Sequence, residues 1–496
     1  MNNGNVNNNN NKNNNNRVRP VAPVAAECAS VGATSQVVYD IPFSSVIEAW
    51  LDCEQNKRTS NSCTKFRWHA ARDLVKLWRE MCTASYTPHS SMCFMVTRPV
   101  LREVWAGAFR DRDAHHWECL RIIPLVEEYF VGVGDCSMNC RKGYGSLRAV
   151  HTLEKMIYDF TEGYTRDDCW IVGGDFANFF MSIDKEILWE YVEQLIMDEY
   201  TGDDKQALLY MMRTTIFHRC QDNYFKKSPE ELWQGLPPRK SLFHMNGLAI
   251  GNFPNQILAN LMGAIFTAWI VLHKGYKHFI IFVDDWRVLF RSAEEGRALL
   301  KEAREWLANE LHITLHPDKV YLQHYSKGTK FVGAVIKPPC KKRDGLNYLL
   351  YLQKWVNRGL DTRGRHINRK KFCKFLLYGL SGQRYLPSEA TARVYVSNRT
   401  RGQFISKMLQ LNARAVSHRA AVSMLDEVRC SINSYLGLMC HYDSYKVRRR
   451  IAEKYILPSW GKFLYFVEDF TKCVIKNEYN EQYLIRRRLK RRNFAA

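Results

Sequence analysis

The chain has 496 residues, 46% of them hydrophobic and 13% aromatic, and a formal net charge of +22. That length and apolar content exclude a wholly disordered polypeptide and leave room for roughly two to four packed domains. The charge is uneven: residues 351–496 carry 30 Lys+Arg against 10 Asp+Glu, a net +20, whereas residues 1–350 carry 42 against 40. An ordinary solvated helix face interleaves acids with bases. Here acids are sparse, which suits a polyanionic partner such as nucleic acid.

In chain order, the first 16 residues include 12 asparagines. They cannot bury apolar area and predict a disordered tail, with a linker running to about residue 40. No signal peptide is visible at this polar start. Apolar stripes through "VIEAWL" and "ARDLVKLWREM" predict helices over 43–83. A mixed stretch at 92–116 leads to a helix at 121–130. "NCRKGYGSLRAVHTLEKMIYDF" (139–160) reads as a basic, glycine-containing loop entering a helix. "CWIVGGDFANFF" (169–180) reads as a strand and turn, followed by helices at 185–200 and 203–217. A Gly/Pro-rich loop at 235–256 ends at "ILANLMGAIFTAWIVL" (257–272), whose 16 residues are short for a membrane span and predict a buried helix. "IIFVDDWRVLF" (280–290) reads as an apolar strand, then come a helix, the strand "KVYLQHY" and one further strand in 327–338. From about 350 the pattern is mostly helical. Strands and helices alternate without a regular βαβ period, so the fold class is α+β with a separate helical domain. The 15 cysteines are scattered; Cys136 and Cys140 form a C-x3-C with no second pair nearby. They read as reduced, partly buried thiols of a cytoplasmic protein rather than as zinc ligands.

Adjacent acids inside an apolar strand need a reason, because burying carboxylates without partners costs several kcal/mol. Asp284 and Asp285 either cap a turn or hold cations. Asp175 is another acid ending an apolar strand, about 110 residues earlier. Two such strands side by side would gather three carboxylates, and hard oxygen donors joined by substrate phosphates are what Mg²⁺ prefers.

The segments "GGDFANFFMSID", "GLAIGNFPNQILAN", "FVDD", "LHPDK" and "GTKFVG" resemble, in order and spacing, motifs A to E of reverse transcriptases. "FRDRDAHH" (109–116) and "NCRKGYGS" (139–146) are similar to fingers motifs of the bacterial enzymes, and "INSYLGLMCHYDSYKVR" (432–448) to their thumb. The resemblance covers about residues 96–450. It implies a right-hand polymerase fold: fingers and palm with an antiparallel sheet, followed by a basic helical thumb. The chain then divides into a tail and linker (1–35), a helical N-terminal extension (36–95), fingers and palm (96–345) and a basic thumb or nucleic-acid-binding region (346–496).

The roles that follow are those the resemblance implies. Asp175 and Asp284 bind two Mg²⁺, for which Mn²⁺ can substitute, with Asp285 in a secondary place and the Phe176 carbonyl as a further ligand. Phe180 matches the steric gate against a 2′-OH. Phe282 stands where the family usually has tyrosine. Arg102, Arg110, Arg141 and Lys142 are candidates for triphosphate or template contacts. Ile250, Gly251 and Gln256 line the nucleotide side of motif B. Lys319 matches the motif D lysine, a general acid for pyrophosphate. Phe331 and Gly333 match the primer grip. His115 and His116 are expected to be structural.

Motif B reads "IGNFPNQ", similar to the I-G-x-x-x-S-Q of diversity-generating retroelement enzymes, with Asn255 in place of Ser. That subgroup implies a bacterial or phage-encoded cytoplasmic enzyme acting on template RNA, a DNA or RNA primer and dNTPs, without a membrane. It also implies a small basic ring-forming accessory protein. The asparagine tail resembles the variable stretch of the lectin-fold proteins such elements diversify, as if the reading frame began inside the template repeat; an unrelated low-complexity tail and an early start codon are the other readings. A retron-like or phage-defence reverse transcriptase is the alternative function, and an inactive nucleic-acid-binding scaffold a third.

Overall fold

The computed structural model describes residues 38–338 and 393–479, apart from residues 56, 98, 99, 165 and 468. The asparagine tail, the helical reading of 350–392 and the basic run at 486–492 lie outside the described residues.

The helical expectation for 43–83 resolves into α1 (Phe43–Glu54), α2 (Asn61–Arg67) and α3 (Ala70–Cys82). The buried Leu74, Leu77 and Met81 of α3 recur at helical spacing. These helices pack on α4 (Phe109–Gly132) in one core cluster. Between them, β1 (Ser91–Val96) and β2 (Arg102–Ala106) pair antiparallel. The first of these strands begins inside the segment expected to be a helical extension. The basic glycine loop enters α5 (Ser146–Phe160).

The centre is a four-stranded antiparallel sheet of β3 (Trp170–Asp175), β5 (Phe279–Phe282), β6 (Asp285–Phe290) and β7 (Tyr321–His324), in the order β5-β6-β3-β7. Side chains alternate across it. Val172, Phe279, Ile281, Trp286, Val288 and Phe290 join the cluster formed with α10 (Phe253–Ala268) and α11 (Ala293–Glu310). Ile171, Ile280 and Leu289 face the opposite cluster, with Ala149, Leu153 and Ile157 of α5. Both faces are covered, so these strands read as continuous apolar runs. The sequence 280–290 is therefore not one strand: it breaks at Val283–Asp284 into the β5–β6 hairpin.

After β3 come the short α6 (Phe179–Ser182), α7 (Lys185–Glu199) and α8 (Lys205–Phe217), then β4 (Tyr224–Lys226), which pairs parallel with β1, and α9 (Glu230–Gln234). Asp184 caps α7 by accepting the Glu186 and Ile187 N–H groups, and Ser292 caps α11 by accepting from Glu295. The apolar helix from Phe253 runs on to His273, long and apolar enough to cross a membrane, and 72% of its apolar window is buried in the protein.

The single strand expected in 327–338 is a hairpin, β8 (Thr329–Phe331) and β9 (Ala334–Lys337), joined by β10 (Arg393–Val396). Beyond it, α12 (Asn398–Arg414), α13 (His418–Met439), α14 (Tyr445–Ile451) and α15 (Leu457–Trp460) share a core of their own. An unanticipated hairpin of β11 (Leu464–Val467) and β12 (Lys472–Ile475) closes that core, with the Asn433 side chain bonded to both backbone groups of Cys473.

Two glycines precede the first acid for a steric reason. A Cβ on Gly174 would stand 2.2 Å from the Trp286 ring, and one on Gly173 2.4 Å from Tyr321. Gly174→Ala should therefore overpack the sheet and cost about 1–3 kcal/mol. A lowered urea midpoint with an unchanged slope checks this; an unaltered midpoint would show that the ring can yield freely.

Candidate active site

The β3–β6 register places Asp175 directly opposite Asp285, with Asp284 in the adjoining turn. Backbone bonds fix the cluster: the Phe176 N–H donates to the Asp284 carbonyl at 3.2 Å, and the His316 N–H donates to the Asp175 carbonyl at 2.8 Å. Phe176 is buried at 1% exposure, so its backbone is held at the cluster while its ring packs on Phe179 and Phe266. Burial raises the Asp284 carboxyl to about 6, and the neighbouring Asp175 and Asp285 charges push the same way. Burial also raises Asp285, opposed by Arg287. Lys319 reaches across from the loop before β7 and donates its Nζ to Asp175 Oδ1 at 2.7 Å.

The turn is held under strain. Val283 has φ +61°, a left-handed conformation that a β-branched residue adopts only when its surroundings impose it. Asn139 Oδ1 accepts the Val283 N–H at 2.7 Å. Asn139 is itself clamped: its Nδ2 donates to Asn260 Oδ1 at 2.7 Å, and Asn260 Nδ2 donates to the Asn139 carbonyl at 2.8 Å. Both asparagines are buried, so neither bond competes with bulk water.

The motif B loop lies on the other side. The Leu248 N–H donates to the Phe180 carbonyl at 2.7 Å, and Gly247 sits so close that a Cβ would stand 2.3 Å from that oxygen. Phe180 is half-buried beside Phe179. Ile250 accepts the Trp105 N–H at 2.7 Å, which ties β2 to this loop, and Gly251 has φ +123° against the same strand. Gln256 is exposed and touches the Cys140 thiol at 3.7 Å. Asn255 donates to the Ala249 carbonyl at 2.9 Å, so the residue replacing Ser holds the loop's own backbone.

The four basic candidates separate. Arg102 and Lys142 are exposed. Arg110 is buried and pairs with Glu80 and Asp111. Arg141 is buried, bonded to Glu127 at 2.8 Å, Asp135 at 2.8 Å and the Ser137 carbonyl at 2.8 Å, with its guanidinium 3.9 Å from the Tyr144 ring. Contrary to the expectation of phosphate contacts, neither of these two presents a free guanidinium; each is buried and paired with carboxylates. His116 is held between Asp52 at 2.6 Å and Lys57 at 3.2 Å, and His115 is buried and pushed down to about 3.

In the cluster on the sheet's second face, Phe331 is buried at 1% exposure, and Gly333 turns at φ +83°. The Gly333 carbonyl accepts the Ser397 N–H at 3.0 Å and the Thr400 hydroxyl at 3.2 Å, which fastens this turn to the start of α12. Three residues that hold the carboxylate turn in place escaped the sequence reading: Arg287, Asn139 and Asn260. A base two positions after an acid in a strand shares its face, which was the available signal for Arg287. Asn260 was visible only as a polar interruption of an apolar run.

Among the described residues, no group of three His, Cys, Asp or Glu side chains is arranged to hold a metal ion by itself. The donor set nonetheless fits a hard divalent cation, which is commonly held by one or two carboxylates and completed by substrate phosphates and water.

No protein-family model and no curated protein matches the chain. Solved structures similar to it include apo telomerase from Candida tropicalis, with 8% identity over 60% of this chain and 62% of that one, at a TM-score of 0.36. Another is telomerase from Candida albicans in complex with a fragment of telomeric RNA, with 12% identity over 76% of this chain and 63% of that one, at a TM-score of 0.34. The chain thus spans less than two thirds of these telomerase chains. Likeness at this distance carries no argument about activity.

Because burial and like charge raise Asp284 to about 6, the folded protein holds that proton more tightly than the unfolded chain. This group's contribution is present at low pH and is lost as pH rises through about 6. In chelator at pH 8, Asp284→Asn should melt roughly 1–3 °C above wild type, with the gap closing near pH 4. Melting curves across pH check this; a variant melting lower at pH 8 would contradict it.

Proposed function

We propose that the chain is an RNA-directed DNA polymerase. The observation that carries this reading is the placement of Asp175 and Asp285 in register across two strands, with Asp284 in the strained turn between β5 and β6. Asp175, Asp284 and the Phe176 carbonyl are the groups to hold two Mg²⁺ or Mn²⁺, which would supply an electrostatic clamp on the attacking and leaving oxygens of nucleotidyl transfer.

The chain's own residues do the rest. Phe180 and the loop through Ile250 and Gly251 shape the pocket for sugar and base; Gln256 borders it. Lys319, poised on Asp175, is the proton donor to the pyrophosphate leaving group. Arg102 and Lys142, exposed and basic, meet triphosphate or template phosphates. The Gly333 turn holds the primer end, and the basic C-terminal region binds the template–primer backbone.

Within this activity, the reading supported best is the polymerase of a diversity-generating retroelement, encoded by a bacterium or phage and working in the cytoplasm on a template-repeat RNA with a small basic accessory protein. "IGNFPNQ" and the asparagine-rich start support it. Its products would be adenine-mutagenised cDNA, since the asparagine codons begin with two adenines.

Three results follow. Asp175→Asn and Asp284→Asn should each lower primer extension at least about a hundredfold, because each removes charge from an electrostatic clamp; more than a few per cent residual activity would remove the assignment. Phe180→Ala should admit ribonucleotides, and unchanged dNTP/rNTP discrimination would place the gate elsewhere. Sequencing cDNA copied from RNA containing all four bases should show errors concentrated opposite adenine. Equal error rates would end the retroelement reading and leave the polymerase reading standing.

A further inference from the structure

Arg287 is a buried cation between the two ends of the site. Its side chain is 6% exposed. Lying two residues after Asp285 in β6, it shares that residue's face of the sheet. Its Nη1 donates to Asp285 Oδ1 at 2.5 Å and its Nη2 to the Lys330 carbonyl at 2.6 Å. The rings of Tyr321 and Phe331 stand 5.2 Å and 5.1 Å from the guanidinium. Lys330 precedes Phe331 in β8, and the turn that follows is bonded through Gly333 to Ser397 and Thr400 at the start of α12.

We propose that Arg287 is a positioning residue that ties the carboxylate hairpin to the primer-gripping turn, and that Asp285 serves the reaction by holding Arg287. This rests on the polymerase reading above. A guanidinium holds its N–H donors in one rigid plane, so the distance between Asp285 and Lys330 is set by a single group, whose Nη1 also donates to the Trp286 carbonyl at 2.6 Å. Asp285, itself partly exposed, is the carboxylate paired with this buried charge, and its loss leaves the Arg287 guanidinium buried without a counter-charge. The two residues therefore act as a unit. The link runs from the carboxylates through Arg287 to Lys330, then through the Gly333 turn to α12. A primer end gripped at that turn is thereby held at a fixed offset from Asp175 and Asp284.

The test is a double-mutant cycle on the full chain with Arg287→Met, Asp285→Asn and the pair. Two quantities are read: affinity for a primer–template duplex by fluorescence anisotropy in chelator without nucleotide, and the rate of single-nucleotide extension. Arg287→Met should weaken duplex binding about tenfold. Asp285→Asn should weaken it similarly, and the double variant should be no worse than about twofold beyond either single one, the signature of residues acting together. Half-activating Mg²⁺ should stay within about twofold of wild type in all three. Arg287→Lys keeps the charge without the fork, and should recover part of the affinity; it carries the test if the Met variant does not fold. Multiplicative losses, or Asp285→Asn raising the Mg²⁺ requirement as a direct ligand would, overturn the proposal while the polymerase reading survives. A wild-type protein that extends no primer removes both.

Discussion

Three carboxylates of like charge share the end of one strand pair, and most of the surrounding structure exists to keep them there. Asp175 and Asp285 face each other across the β3–β6 ladder, and Asp284 sits in the next turn with its carboxyl raised to about 6. Left alone, such a cluster would spread apart or take up protons. Instead each member is countered or pinned by a specific group: Lys319 on Asp175, Arg287 on Asp285, and the Phe176 N–H on the Asp284 backbone. The strain at Val283 is opposed by the buried Asn139–Asn260 pair, which reaches the turn from α10 and from the loop before α5. A cluster of like charges is thereby held in place, which is the arrangement the proposed cation site requires.

The same constraint explains how distant segments converge. The motif B loop is anchored to the Phe180 and Trp105 backbones, so the groups proposed to border the nucleotide are set by main-chain hydrogen bonds. Backbone bonds vary less with side-chain motion than long polar contacts do. The helices after residue 397 keep a core of their own and meet the rest through β10 on β9, the Gly333 carbonyl, an Asp443 N–H to Val394 bond and the packing of Leu438 and Tyr442 into the cluster of α5 and the sheet. That division separates the carboxylate cluster from the region proposed to bind the duplex.

Much of this was legible in the residues. Asp175, Asp284 and Asp285 stood out because acids in apolar strands are expensive. The core helix stood out by the long apolar run at 257–272, interrupted at Asn260. The hairpins at 279–290 and 329–337 were not legible: both faces of the first are buried, so it shows no alternation, and neither turn carries Asn-Gly or Asp-Gly. Val283 turns left-handed where its N–H is held by Asn139, a contact 144 residues apart. Arg110 and Arg141 were misread for the same kind of reason. A basic residue near a proposed phosphate site looks alike whether it faces solvent or is paired with acids brought by other elements, such as Glu80 and Glu127.

The central claim is that the carboxylate cluster is a binding site for a divalent cation whose affinity is set by the ionisation of Asp284. Calorimetric titration of Mn²⁺ into the wild-type protein at pH 8 and pH 5, and into Asp284→Asn at pH 8, tests it most directly. The account predicts binding at pH 8 that weakens about tenfold at pH 5, as a carboxyl with a pKa near 6 takes up its proton, and is lost in the variant. Binding that is indifferent to both pH and the substitution would contradict it.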